Sequence, residues 1–185
     1  MSGINIAGTD ASDFDMAGVM DFPLQIAAGS STAVPIRFDP SGSCGGQRFA
    51  TLQIASDEPD TSVKDVDVSG IVPCPDLNIA IANSGDFGDV CKTDFGDMDL
   101  TLFNQGQCDL TISDITSDNG LFILPEDLQT PLVLSHDADF SLPIRYAPEE
   151  CTDSGDSGTI SIISDSPGES PLDISVSGLS PCPQL

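Results

Sequence analysis

A chain of 185 residues carries thirty Asp and Glu against five Lys and Arg, a formal net charge of −25. Such a surface repels phosphate backbones, which argues against nucleic acid as a partner. Apolar residues make up 39% of the chain, but they come in short runs, none long enough for a membrane-spanning helix. The length suits two domains of roughly 100 residues, each able to bury a core of its own.

Read from the first residue, Met1-Ser2-Gly3-Ile4-Asn5 has neither a charged stretch nor an apolar one, so no signal peptide is visible there. The next feature is a repeat. Laying residues 33–77 over 141–185 at a constant offset of 108, without a gap, leaves 18 of 45 positions identical, far beyond chance. Pro35-Ile36-Arg37 falls on Pro143-Ile144-Arg145, and Ser56-Asp57 on Ser164-Asp165. Val68-Ser69-Gly70 falls on Val176-Ser177-Gly178, and Pro73-Cys74-Pro75 on Pro181-Cys182-Pro183. Upstream, Ile4, Phe14 and Pro23 meet Ile112, Phe122 and Pro131 in the same register. Residues 74–185 are therefore expected to hold a complete module, and 1–73 a copy with no counterpart of 78–108.

In the complete copy, short alternating apolar runs are separated by Gly, Pro, Asp, Asn and Ser, the pattern of an all-β sandwich. The runs predict strands near 77–82, 86–91, 98–104, 109–116, 121–124, 131–135, 138–146, 158–164 and 171–178. Alternation buries Leu100, Leu102, Leu142, Ile144 and Tyr146 and turns Asp99 and Arg145 outward. Asn104-Gln105-Gly106, Asp118-Asn119-Gly120 and Ser164-Asp165-Ser166-Pro167-Gly168 read as turns. Phe14, Phe22, Phe38, Phe122 and Tyr146 are core candidates, whereas Pro35 and Pro143 suit edge strands and Arg37 and Arg145 suit pairing with nearby acids.

Taken in order, Asp86-Phe87-Gly88-Asp89-Val90, Leu102-Phe103-Asn104-Gln105-Gly106, Pro143-Ile144-Arg145-Tyr146-Ala147-Pro148, the run Thr159 to Pro167, and Val176-Ser177-Gly178 form a recognisable set. The set resembles the ASH/MSP-like immunoglobulin-like repeats, and among them the bacterial choice-of-anchor D proteins. The resemblance implies tandem Ig-like Greek-key sandwiches in a secreted or surface-anchored bacterial protein, with no catalytic residues to carry over. Its eukaryotic relatives look like intracellular binding modules, and fold alone does not choose between these roles.

Six cysteines in a Lys-poor, loop-rich chain suit an oxidising compartment. Six cysteines allow 15 connectivities. With strands running alternately up and down the expected sandwich, Cys91 and Cys151 fall at one end, and Cys74 and Cys108 at the other. Those two pairings are the expectation. Cys44 and Cys182 are then left to bond to neighbouring repeats or subunits, or to stay as free thiols.

Chemistry-bearing groups are sparse. A Ser135-His136-Asp137 run holds the only histidine, in a predicted turn without a nucleophile elbow or Gly-rich oxyanion loop, so catalysis is not expected. Calcium is the one ion with ligand-like spacing, at Asp10, Asp13 and Asp15 and at Asp153 and Asp156, although neither set fits a twelve-residue EF-hand loop. No other cofactor is expected. The absence of Trp and the single Tyr argue against an aromatic sugar platform. The functional expectation is an extracellular or cell-surface stalk, fibre or adhesive spacer. Its partners would be neighbouring repeats, identical subunits, or a surface protein or glycan bound by loops.

Overall fold

The computed structural model describes residues 1–183, with the side chain of Asp153 outside the description. It is all-β apart from two short 3-10 turns at Ala11–Asp13 and Ala82–Gly85. No helix among the described residues is long and apolar enough to cross a membrane. The chain divides into two compact units, Met1–Pro73 and Cys74–Leu185.

The second unit contains β6 (Leu77–Ile81), β7 (Asp86–Asp89), β8 (Gly96–Asn104), β9 (Leu110–Ser117) and β10 (Phe122–Ile123). It continues with β11 (Leu132–Leu134), β12 (Asp139–Tyr146), β13 (Thr152–Ser164) and β14 (Leu172–Ser180). One sheet has the order β10-β12-β8-β6, the other β11-β9-β13-β14-β7. All neighbours are antiparallel except β7 and β14, which run parallel. Alternation decides what faces inward. Leu100, Leu102, Leu142, Ile144 and Tyr146 from one sheet meet Leu110, Ile112, Ile160, Ile162 and Val176 from the other in a single apolar cluster. Two sheets closing on one shared core make an Ig-like sandwich. Asp99 and Arg145 are exposed on the outer face.

The strands fall where the apolar periodicity puts them, with one clear difference. β13 begins at Thr152, well before the expected 158. Its polar stretch has no alternation to read: Thr152 pairs with Ser180, and regular pairing with β14 resumes at Asp156 across an irregularity between them.

The first unit contains β1 (Gly3–Ala7), β2 (Phe14–Met16), β3 (Ile36–Phe38), β4 (Gln47–Ala55) and β5 (Val63–Ile71). Its sheets have the orders β1-β4-β5 and β2-β3. At the offset of 108 these repeat β9-β13-β14 and β10-β12, while β6, β7, β8 and β11 have no counterpart among the described strands. Burial follows strand supply. Among the described residues, Phe14, Ala50 and Leu52 are the buried apolar side chains of this unit, against sixteen in the second. At about 1.5–3 kcal/mol for each fully buried large apolar side chain, most hydrophobic stabilisation resides in Cys74–Leu185.

Candidate functional site

Both units are organised around one repeated joint. In the first, Phe14 on β2 stands opposite Phe38 on β3, with ring centroids 5.0 Å apart. In the second, Phe122 on β10 stands opposite Tyr146 on β12, also at 5.0 Å. Gly70 on β5 and Gly178 on β14 lie directly beneath Phe38 and Tyr146, where a Cβ would overlap each ring. The repeated Val-Ser-Gly string thus supplies the one residue type that lets an aromatic ring rest on the opposite sheet.

The polar partners around this joint differ between copies. Tyr146 is fully buried, and its hydroxyl donates to Asp156 Oδ2 at 2.6 Å. Burial, aided by that carboxylate, pushes the phenol well above its ordinary pKa. In the first unit Phe38 has no hydroxyl, and the position of Asp156 is taken by Arg48, whose Nε lies 3.2 Å from Oδ2 of the buried Asp13.

Arg145 is the exposed counterpart of the joint. Its Nε and Nη2 donate to Asp97 Oδ1 and Oδ2 at 2.7 and 2.9 Å. The guanidinium also lies over the Phe95 ring, 3.9 Å from its centroid. Hydrogen bonding to Arg145 holds the Asp97 carboxyl below its ordinary pKa of 3.8. Arg37, its equivalent in the first unit, is exposed and forms no ion pair among the described residues, although Asp15 stands opposite it on β2.

The acids with calcium-like spacing have separate engagements. Asp10 Oδ2 accepts from the Phe49 amide at 2.9 Å, and Asp13 is held by Arg48 and, at 3.4 Å, by the Ser41 amide. Asp15 Oδ1 accepts from the Met16 amide at 2.7 Å, and Asp156 from Tyr146. Asp153 lies outside the described side chains. Among the described residues, no group of three or more His, Cys, Asp or Glu is placed to hold a metal ion.

His136 is half-exposed at the β11–β12 turn. Its Nδ1 donates to the Gly106 carbonyl at 2.6 Å, and its Nε2 lies 3.3 Å from Asp137 Oδ2. The ring braces one turn against another.

Asn104, read from sequence as a turn residue, is a buried hub. It is 1% exposed, and its Nδ2 donates to the carbonyls of Cys108 and Leu134 at 2.7 and 2.9 Å. Its Oδ1 accepts from the amides of Gly106 and Asp76 at 3.0 and 3.3 Å. The signal was present: Asn104 continues the inward alternation of Leu100 and Leu102, an interior position at which a polar side chain must be fully hydrogen-bonded.

The cysteines correct the expected pairing. Cys151 is bonded to Cys182, with Cα atoms 5.0 Å apart. Cys91 is therefore not the partner of Cys151; it is exposed and free, and Cys182 is not left for a neighbouring repeat. The reason is strand register. Thr152 pairs with Ser180 at one end of the β13–β14 ladder, which brings the flanking Cys151 and Cys182 side by side within disulfide reach. Sorting cysteines by end of the sandwich overlooked that these two flank adjacent strands. Cys44 is half-buried and free. The backbone carbonyls of Cys74 and Cys108 are held by the Gln107 amide and by Asn104.

No family model matches the sequence, and no curated protein matches it. Several solved structures align with parts or most of the chain. A protein of unknown function from Porphyromonas gingivalis W83 aligns over 97% of this chain and 86% of its own, at 15% identity and a TM-score of 0.48. The secreted serine protease VesC from Vibrio cholerae aligns over 57% of this chain and 23% of its own, at 14% identity and a TM-score of 0.44. An ASH/PapD-like domain of human CEP192 aligns over 60% of this chain and 89% of its own, at 12% identity and a TM-score of 0.41.

Proposed function

We propose that this chain is part of a non-enzymatic extracellular array of Ig-like modules, serving as a surface stalk or a subunit of a fibre. Its place would be among the ASH/MSP-like repeats of the bacterial choice-of-anchor D kind. The observation that carries the reading is the repeated joint: identical glycines, Gly70 and Gly178, seat aromatic rings that pair at the same 5.0 Å in both units. What the two copies share is framework, and a framework copied along one chain is what a mechanical module needs. The Cys151–Cys182 bond adds support, because it ties down the β13–β14 pair where that module ends and suits an oxidising compartment. Thirty acidic residues against five basic ones keep such a surface soluble.

The test is peptide mass spectrometry on natively isolated protein, without reduction. A Cys151–Cys182 crosslink, with Cys74 joined to Cys108, is the expected result. Thiols found free throughout would place the chain in a reducing compartment and overturn the extracellular reading.

A further inference from the structure

Three neighbouring strands of the second unit each carry a cysteine at the same end. β13 runs antiparallel to β14 and β7 runs parallel to it, so the start of β13 lies beside the ends of β14 and β7. Cys151 immediately precedes β13, Cys182 follows β14 by two residues, and Cys91 follows β7 by two. Cys182 is therefore the middle cysteine, with one neighbour on each side. Its bond to Cys151 spans one interstrand step, with Cα atoms 5.0 Å apart. On the other side, the Val90 amide donates to the Leu179 carbonyl at 2.8 Å, which carries the contact of β7 with β14 up to the residue before Cys91. Beyond Cys91 the chain crosses toward the start of β13: Lys92 Nζ donates to Glu150 Oε2 at 2.7 Å, and the Thr93 amide to the Pro148 carbonyl at 3.4 Å. Cys91 is thus carried between a residue held by β14 and a residue held by the neighbour of Cys151. Its thiol is exposed and free, whereas the bridged pair is half-buried.

We propose that Cys182 is the centre of an intramolecular thiol–disulfide exchange between Cys151 and Cys91. The Cys91 thiolate attacks Cys182 Sγ, a Cys91–Cys182 bond forms, and the Cys151–Cys182 bond breaks. Cys151 leaves as a thiolate and takes up the proton that Cys91 gave to solvent, so no oxidant or reductant is consumed. Displacement at sulfur runs in line, with the attacking and leaving sulfurs on opposite sides of the one attacked. The strand order β13-β14-β7 puts Cys151 and Cys91 on opposite sides of Cys182. The two bonds clamp different seams. One closes the β13–β14 ladder beyond its irregularity between Thr152 and Asp156. The other closes the parallel β7–β14 contact beyond Leu179 and Asp89, where the register has shifted. Cys151–Cys182 is the bond the structure holds, and the Cys91 isomer is its minor alternative. A bridge that opens here re-forms one strand away, so this end of the module stays clamped in either state.

The test uses the full chain, folded and bridged. It is kept in acid, brought to about pH 8.5 to ionise thiols, quenched in acid at intervals, and digested with pepsin for peptide mass spectrometry without reduction. A Cys91–Cys182 crosslink is expected in a minor fraction, with the Cys151 thiol released in equal amount, at a rate independent of protein concentration. Cys91→Ser should abolish it. In a Cys151→Ser chain oxidised with glutathione disulfide, Cys91 should be the partner that Cys182 takes. Circular dichroism melts establish that both variants fold. Absence of the Cys91–Cys182 crosslink from the exchange series overturns the proposal, as does its appearance only in chain unfolded by urea. A rate that rises with concentration, which marks exchange between chains, overturns it too, and so does Cys182 joined to another cysteine in the folded Cys151→Ser chain. Thiols found free throughout the native material would sink the extracellular reading and leave this test, run on chain oxidised in vitro, intact.

Discussion

Arg145 and Asp97 face each other in register across β12 and β8, joined by two parallel hydrogen bonds of 2.7 and 2.9 Å. The pair lies outside the core, but it joins the two central strands of the β10-β12-β8-β6 sheet. Asp97 is held below its ordinary pKa of 3.8 in the fold, so its contribution is full above that value and lost as pH falls through the lower folded one. Asp97→Asn is therefore expected to lower the urea midpoint at neutral pH. The gap to the unsubstituted protein should close in strong acid, and narrow in high salt because the pair is exposed.

Asn104 makes four side-chain hydrogen bonds from a site with 1% exposure. Asn104→Ala strands the Gly106 and Asp76 amides and two carbonyls, at about 1–3 kcal/mol for each group left without a partner or water. Asn104→Asp should be worse at neutral pH, because a carboxylate oxygen would then face the Cys108 and Leu134 carbonyls. Equilibrium urea unfolding of the two variants, followed by circular dichroism, ranks them.

These two residues show how far the sequence could be read. The strands were legible because alternation and the repeat at offset 108 reinforce each other: Leu142, Ile144 and Tyr146 are inward, Arg145 outward, as the pattern requires. Asn104 ends a strand and opens a turn, as its sequence reads, with its Oδ1 accepting from the Gly106 amide; its two carbonyl partners, Cys108 and Leu134, are not legible, because local sequence does not show which way the amide points. The Cys151–Cys182 bond was missed because strand adjacency is a property of the sheet; that β13 lies beside β14 and is paired from Thr152 onward is fixed by long-range pairing. The parallel contact of β7 with β14 has no local signature at all. Of the candidate ion ligands, spacing along the chain brought Asp10, Asp13 and Asp15 close in sequence, while hydrogen bonds to different amides and to Arg48 sent their carboxylates separate ways.

Gly178 sits beneath Tyr146 with no room for a side chain. Gly178→Ala should destabilise the second unit by about 1–3 kcal/mol, the cost of forcing extra atoms into a packed core. The two sites touch, so the cost should not be additive. In a chain that already carries Tyr146→Leu, the same glycine substitution should cost measurably less. Thermal melts of the single and double variants complete the cycle.

The Cys151–Cys182 bridge spans a sequence separation of 31. Replacing both cysteines with serine should destabilise the second unit by about 2–4 kcal/mol, whereas Cys91→Ser, at an exposed free thiol, should leave its unfolding midpoint unchanged. Denaturant unfolding of both variants under non-reducing conditions provides the comparison.

The most direct measurement is hydrogen exchange of the β3 amides, Ile36 to Phe38, in this chain and in one that carries a second copy of residues 77–107 ahead of Met1. The account predicts fast exchange in the first and protection approaching that of Leu142 to Tyr146 in the second, with the second unit unchanged in both. Equal, slow exchange at β3 without the added segment, or no gain with it, would contradict two copies of one framework in which β8 supplies the partner that β3 lacks in the first unit.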